Sequence, residues 1–155
     1  SAGTLSDFPI FDFCSDVRSS NPVPNDGGSD WYIPAMDELE LIYRNLKPTT
    51  DSNYVASRSS NFPTSAFDNG ANLSSDPQGV AYTSTVPGQT SVSVFQVGGS
   101  EALDYDDNAR HWSATEGTSA DAWFKSFRGP TAGIQGNGPK DATSVRCRLV
   151  RRVEL

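Results

Sequence analysis

The chain has 155 residues, of which 35% are hydrophobic and 20% are charged; this length and its loop-rich composition predict a single domain with a small core and many loops. The formal net charge of −7 argues against a nucleic-acid partner, because phosphate binding needs a basic face. No apolar run approaches the roughly 20 residues of a membrane span, and no signal-peptide pattern is visible.

The first predicted element is a helix over Pro9–Arg18. Its apolar residues recur at the spacing of one helical face, at Ile10, Phe13, Cys14 and Val17. The same stretch can also be interpreted as a strand through Phe11 and Phe13. The segment that follows, residues 21–30 (NPVPNDGGSD), consists of turn-forming residues.

The strongest helical pattern covers Ala35–Leu46. One face of this helix is apolar and carries Leu39, Ile42, Tyr43 and Leu46. Pro34 suits the start of the helix, and Pro48 cannot continue it. We therefore predict a helix that buries Leu39 and Ile42 in the core.

Residues 49–99 show no periodicity and predict long surface loops, attached to the core by scattered aromatic residues. Strand-like runs follow at His111–Ala114, Ala122–Arg128 and Ser144–Val153, separated by glycine-rich turns such as residues 129–139. In the last run apolar residues, among them Val145, alternate with arginines, as in a strand with one buried face. Early helices and late strands together predict an α+β fold.

Three segments occur in an order that resembles a known family: DWYIPAMDELELIYRNLKP (residues 30–48), HWSATEGTSADAWFKSF (111–127) and SVRCRLVRRV (144–153). They resemble the family named for the C-terminal domain of Lcl, a collagen-like bacterial adhesin. The variant with YRNLKPTT resembles virion structural proteins encoded by tailed phages. This resemblance implies one C-type-lectin-like domain over residues 1–155. In that fold two helices flank a twisted antiparallel sheet, the loops are long and the termini are adjacent.

The same resemblance suggests structural roles for the cysteines and tryptophans. The family pattern often has one cysteine in the first helix and one in the last strand, which matches Cys14 and Cys147. We expect the two to lie close together, either as a disulfide or as buried thiols. Trp31, Trp112 and Trp123 are expected to anchor the core, since each lies in a strand-like step beside small or β-branched residues.

Catalysis and metal binding are not expected. His111 is the only histidine, and its place in a predicted strand favours a structural role over that of a general base. The acidic cluster DYDDN (residues 104–108) lacks the calcium-binding spacing of EF-hands and of C-type lectins. We interpret it as a solvated loop that faces the arginine-bearing strand, and we expect no metal and no other cofactor.

Three functional hypotheses remain open. The first is a non-enzymatic phage virion surface protein, either a capsid decoration or fibre piece or a tail recognition module. Such a protein would be present in many copies and would contact other virion proteins or a host-surface glycan or protein. The second is a bacterial surface adhesin that binds glycans, and the third is an enzyme whose site the sequence does not reveal, which loss of turnover in His111→Ala would support. For the binding hypotheses, the expected exposed contact residues are Tyr105, Arg128 and Gln135.

Overall fold

The computed structural model describes residues 9–20, 31–55, 80, 82–103, 110–127 and 129–151. Its helices and strands are α1 (Pro9–Ser20), β1 (Trp31–Tyr32), α2 (Met36–Leu46), β2 (Arg110–Glu116), β3 (Asp121–Ser126), β4 (Gln135–Pro139) and β5 (Val150–Arg151). Short 3₁₀ helices lie at Ser93–Phe95 and Gly129–Thr131. Two helices and two antiparallel sheets confirm the predicted α+β class. Neither helix of the described ranges is long and apolar enough to cross a bilayer.

The strands form a two-stranded sheet, β1–β5, and a three-stranded sheet, β2–β3–β4. In the smaller sheet, Trp31 pairs with Arg151 and Tyr32 pairs with Val150. Helix α1 contacts β1, whereas α2 packs against β2 and β3. The first and last described elements, α1 and β5, therefore both lie against β1.

Helix α2 begins where the sequence pattern predicts. Its first turn is tied down by Glu38, whose carboxylate accepts hydrogen bonds from the Ala35 amide at 2.8 Å and from the Tyr32 hydroxyl at 2.6 Å. The Met36 amide donates to the hydroxyl of Thr115 at 3.0 Å, and this bond joins the helix start to β2. The orientation of α2 on the larger sheet is thereby fixed at its first turn.

The main core cluster lies under α2. It comprises Leu39, Tyr43, Tyr82, Leu103, Phe127 and Ala132. Ile42 is only partly buried and packs against the edge of this cluster. Trp112 and Trp123 are both buried, and Trp123 packs against Met36. Leu39 and these two tryptophans are thus buried, as the sequence predicts.

A second cluster joins α1 to the C-terminal segment. Cys14, Ile33 and Leu149 are its buried members, with Trp31 and Cys147 packed against them. The predicted proximity of Cys14 and Cys147 is confirmed, and both are free thiols. Trp31 is only half-buried, so it is not the core anchor that the sequence predicts. Its ring is partly covered by the Arg151 guanidinium, 5.6 Å from the ring centroid.

Two further residues expected on buried faces are not fully buried. Phe13 was placed on the apolar face of the first helix, but half of its surface is exposed. Cys14 and Val17 face the second cluster, and Phe13 lies at the edge of this apolar stripe, about 100° around α1 from Cys14. Val145 is half-buried, because it precedes the point at which the C-terminal segment first bonds to a strand.

An ion pair between α2 and β3 lies inside the protein. The Glu40 carboxylate contacts the Lys125 ammonium, and their side chains are 6% and 0% exposed. The Tyr82 hydroxyl donates to Glu40 at 2.8 Å, and the Arg44 guanidinium donates to it at 2.7 Å. Burial, and then the nearby Glu40 charge, raises the pKa of Tyr82, so the phenol remains a donor. The ion pair joins α2 to the larger sheet, the Tyr82 bond joins a loop to α2, and the Arg44 bond lies within α2.

A second buried lysine, Lys47, holds the segment after α2. Its ammonium donates to the Asp51 carbonyl, to the side-chain oxygen of Asn53 at 2.9 Å and to the Pro87 carbonyl at 3.4 Å. Tyr43 also donates to the Asn53 oxygen, at 2.6 Å. Burial lowers the pKa of Lys47, an effect that the nearby Asp51 charge opposes. These bonds fix residues 49–55 and 83–87 against the helix.

The C-terminal segment differs from the single strand predicted over Ser144–Val153. It forms an isolated bridge, Arg146 with His111, and then the short strand β5. The amide of Arg146 donates to the Arg110 carbonyl at 2.8 Å, and its carbonyl accepts from the Trp112 amide at 2.9 Å. The C-terminal segment is therefore divided between two sheets. The alternation of its apolar residues predicts instead a single strand paired along its whole length with one neighbouring strand.

The glycine-rich segment 129–139 was predicted to be a turn, but it contains strand β4. Gly136 pairs with Phe124, and a Cβ atom at Gly136 would lie 2.7 Å from the Phe124 ring. The glycine therefore leaves room for an aromatic ring to cover the strand, a known use of glycine inside sheets. Within residues 49–55, 80 and 82–99 the loop prediction is confirmed, with one 3₁₀ turn and the buried ring of Tyr82.

Candidate ligand-binding site

A half-enclosed pocket of about 240 Å³ opens on the larger sheet; we call it the sheet pocket. It is lined by Ile33, Trp112, Ser113, Ala114, Glu116, Ala122 and Lys140. Four of these residues belong to β2 and one to β3. The pocket is thus built mainly on regular strands, which hold a site more precisely than loops do.

The floor of the sheet pocket is apolar and supported from behind. Trp112 lies at its centre, and its ring meets the Phe124 ring edge to face with centroids 6.0 Å apart. Both rings lie against β4, since a Cβ atom at Gly138 would be 3.7 Å from each of them, an ordinary van der Waals distance. Trp112 is 3% exposed and Phe124 is 7% exposed. The floor therefore has few alternative packings, as a preformed site requires.

The rim of the pocket carries one ion pair. The Lys140 ammonium donates to the Glu116 carboxylate at 2.6 Å and to the Ser119 carbonyl at 3.2 Å. The Glu116 side chain is 73% exposed, but that of Lys140 is only 12% exposed. Lys140 is thus a positioned donor at the pocket edge, and Glu116 is an acceptor in contact with water.

Strand register brings these two rim residues together. Glu116 pairs with Ala122 across β2 and β3, and Asp121 pairs with Pro139 across β3 and β4. The Lys140 amide then donates to the Ala120 carbonyl at 3.0 Å. Glu116 and Lys140 are 24 residues apart in sequence, but both lie at the β2–β3 turn.

The pocket suits a small group that is partly apolar and partly polar. It is smaller than the roughly 300–1,000 Å³ of clefts for drug-sized ligands. Its apolar floor favours a methyl or methylene group, its rim offers one donor and one acceptor, and the two charges of the rim cancel. Such an arrangement orients an uncharged polar ligand by hydrogen bonds.

Of the contact residues predicted from the sequence, Gln135 is described by the structure and does not line this pocket. Gln135 was expected to be exposed, but it is 4% exposed, and its side-chain amide donates to the buried Glu40 at 3.3 Å. It opens β4 with its side chain directed at α2, which the turn interpretation of this segment could not predict. Tyr105 and Arg128 lie outside the described residues, as does the acidic cluster 104–108.

The rim residues were missed for a physical reason. Glu116 belongs to a segment used for the family resemblance, and Lys140 follows the segment interpreted as a turn. Their proximity depends on the pairing of β3 with β4, and the glycines of β4 conceal that strand. The sequence signal that could have revealed β4 is the run QGNGP, whose glycines can pair with the aromatic residues of β3.

The surroundings of His111 are buried and aromatic. His111 is 2% exposed, and its ring packs edge to face on Phe127 with centroids 4.9 Å apart. Cys147 shares a second pocket with it. Burial, and then the nearby Cys14, raises the pKa of Cys147 to about 12, so this thiol is protonated near neutral pH, whereas a nucleophilic cysteine must be a thiolate. In the described ranges, moreover, His, Cys, Asp and Glu form no group of three that could hold a metal ion.

Comparison with known proteins adds no relative: no family model, no curated protein and no solved structure matches the chain.

Proposed function

We propose that this chain is a non-enzymatic recognition domain with a C-type-lectin-like fold, carried in several copies on the surface of a phage virion. The sheet pocket is the observation that supports recognition. The resemblance of three ordered segments to the Lcl C-terminal domain family and to tailed-phage virion proteins supports the fold and the location. The partners proposed are neighbouring virion proteins and a host-surface glycan.

The proposed occupant of the sheet pocket is the acetamido group of a surface sugar. Its methyl group would contact the apolar floor at Trp112 and Ile33. Its N–H would donate to Glu116, and its carbonyl oxygen would accept from Lys140, so both rim charges would be used. An acetamido group carries all three features in one small uncharged unit.

The character of the rim supports binding over catalysis. An acid–base pair needs two groups with separate roles in a site that excludes water. Glu116 and Lys140 are instead bonded to each other, and most of the Glu116 side chain is exposed. Because most of the Glu116 side chain is in water, its carboxylate can exchange the Lys140 bond for a bond to a ligand while the largely buried Lys140 stays in place.

Lys140→Ala should weaken the binding of N-acetylhexosamine glycans at least tenfold, because it removes a charge-assisted hydrogen bond worth about 1.5–3 kcal/mol. The measurement is a glycan array followed by titration with N-acetylglucosamine. Arg151→Ala, which removes an exposed positive charge on the other sheet, is the control and should leave binding unchanged. Equal binding by the parent chain and Lys140→Ala would contradict the proposed site.

The location has its own test. Antibodies against the chain should label phage particles from the bacterium that carries its gene, in a regular pattern on capsid or tail. Labelling of the bacterial surface alone would instead favour the alternative, an adhesin that binds glycans through the same pocket. The labelling experiment thus tests only where the protein is displayed. The glycan titration tests what the sheet pocket binds.

A further inference from the structure

A second pocket, which we call the arginine pocket, lies where the C-terminal segment joins β2. It has a volume of about 250 Å³ and is lined by Ala102, Leu103, His111, Arg146, Cys147 and Arg148. The bridge between His111 and Arg146 fixes one wall, since the Arg146 backbone is bonded to both Arg110 and Trp112. The pocket is therefore built on a hydrogen-bonded frame.

The described lining of the arginine pocket contains two arginines and no acidic residue, in a protein of net charge −7. Arg146 and Arg148 each supply a guanidinium, a positively charged group with several hydrogen-bond donors. Cys147 adds no negative charge, because burial raises the pKa of its thiol to about 12. A local cationic surface in an acidic protein attracts an anion at short range, although the whole molecule repels highly charged anions.

Among the residues that the structure describes, Glu101 contacts this lining at the pocket edge. Its carboxylate accepts from the Arg148 guanidinium at 2.7 Å, and the two side chains are 51% and 36% exposed. An exposed pair of this kind contributes little to stability and exchanges readily. A ligand carboxylate can therefore take the place of Glu101 on Arg148.

We infer that the arginine pocket binds the carboxylate of an acidic sugar. A guanidinium pairs with a planar carboxylate through two parallel hydrogen bonds, and two arginines line this pocket. The molecule's negative charge penalises a dianionic phosphate more than a carboxylate, which carries one charge. The open, polar cavity has room for the ring that carries the carboxylate. The inference does not depend on the sheet pocket or on the proposed virion location.

The test is titration of the intact chain with glucuronate, with glucose as the uncharged match. Because His111 is the only histidine, its imidazole protons give a single set of NMR signals from the pocket wall. Glucuronate should shift these signals in a saturable way, and glucose should not. Equal shifts with both sugars would overturn the inference, as would tighter binding of inorganic phosphate or of an N-acetylaspartate amide.

Charge variants locate the site. Arg146→Gln and Arg148→Gln should each weaken glucuronate binding about tenfold or more. Glu101→Gln should strengthen it, because the competing carboxylate is gone. Arg151→Gln, an exposed arginine of the same segment outside the lining, should have no effect.

The pattern of the four variants decides between a site and general attraction. Weakening by Arg151→Gln equal to that by Arg146→Gln would show only general attraction of anions and would overturn the inference. Unchanged or weaker binding by Glu101→Gln would also overturn it. Melting temperatures identify any variant that fails to fold. Because Glu101 is exposed, Glu101→Gln should fold like the parent chain, and its affinity for glucuronate still tests the inference.

Discussion

Replacing Glu40 by leucine should lower the free energy of unfolding by about 3–5 kcal/mol, because it removes the carboxylate partner of a lysine that is buried completely. The Lys125 ammonium would keep its 3.3 Å bond to the Gly133 carbonyl and its position 5.2 Å from the centroid of the Tyr43 ring. Neither contact replaces a full negative charge. Urea unfolding monitored by tryptophan fluorescence measures the loss.

The double variant Glu40→Leu/Lys125→Met separates this cause from simple loss of packing. It removes both charges and should be more stable than Glu40→Leu alone, since an apolar pair can replace a buried ion pair. Glu101→Gln, which breaks an exposed pair, is the control and should cost less than about 1 kcal/mol. A double variant no more stable than Glu40→Leu would contradict a dominant role for the unpaired charge.

Gly133→Ala should destabilise the protein by about 3 kcal/mol. The φ angle of Gly133 is +87°, where an alanine costs about 1–2 kcal/mol. The added Cβ atom would also lie 2.5 Å from a carbon of the Tyr82 ring, and overpacking of this kind costs about 1–3 kcal/mol. Tyr82 cannot move away freely, because its hydroxyl is bonded to both oxygens of Glu40.

Gly98→Ala is the matched control for the steric part. Gly98 has a φ angle of +84°, but no atom outside its chain neighbours lies within 4 Å of a Cβ atom built there. It should cost only the backbone strain of about 1–2 kcal/mol. Thermal melting of both variants checks the difference; equal losses would show that the Tyr82 ring adjusts to the methyl group.

The sequence predicts those parts of the fold that local periodicity specifies. Helix α2 has a clear apolar face, and the Trp112 and Trp123 runs are short and bounded by turn-forming residues, so these elements lie within one or two residues of their predicted bounds. Strand β4 could not be predicted in this way, since Gly136 and Gly138 are turn-forming residues. Their role becomes apparent only when the Phe124 ring is seen to cover them.

The candidate site was less predictable than the fold. Trp112 was predicted as a core residue, and it is also the floor of the sheet pocket. The rim pair of Glu116 and Lys140 depends on strand register, which no local pattern specifies here. The arginine alternation near the C-terminus predicted one exposed face, whereas the division of that segment between two sheets places Arg146 and Arg148 in a pocket with His111.

Titration calorimetry of Ala114→Phe with N-acetylglucosamine tests the proposed recognition at the sheet pocket most directly. Ala114 is an exposed residue of the pocket lining, so a phenyl ring there should fill the pocket without disturbing the core. Val94→Phe adds the same ring at an exposed position outside the lining and serves as the control. We predict binding by the parent chain and by Val94→Phe, and none by Ala114→Phe. Binding by Ala114→Phe with the affinity of the parent chain would contradict the account.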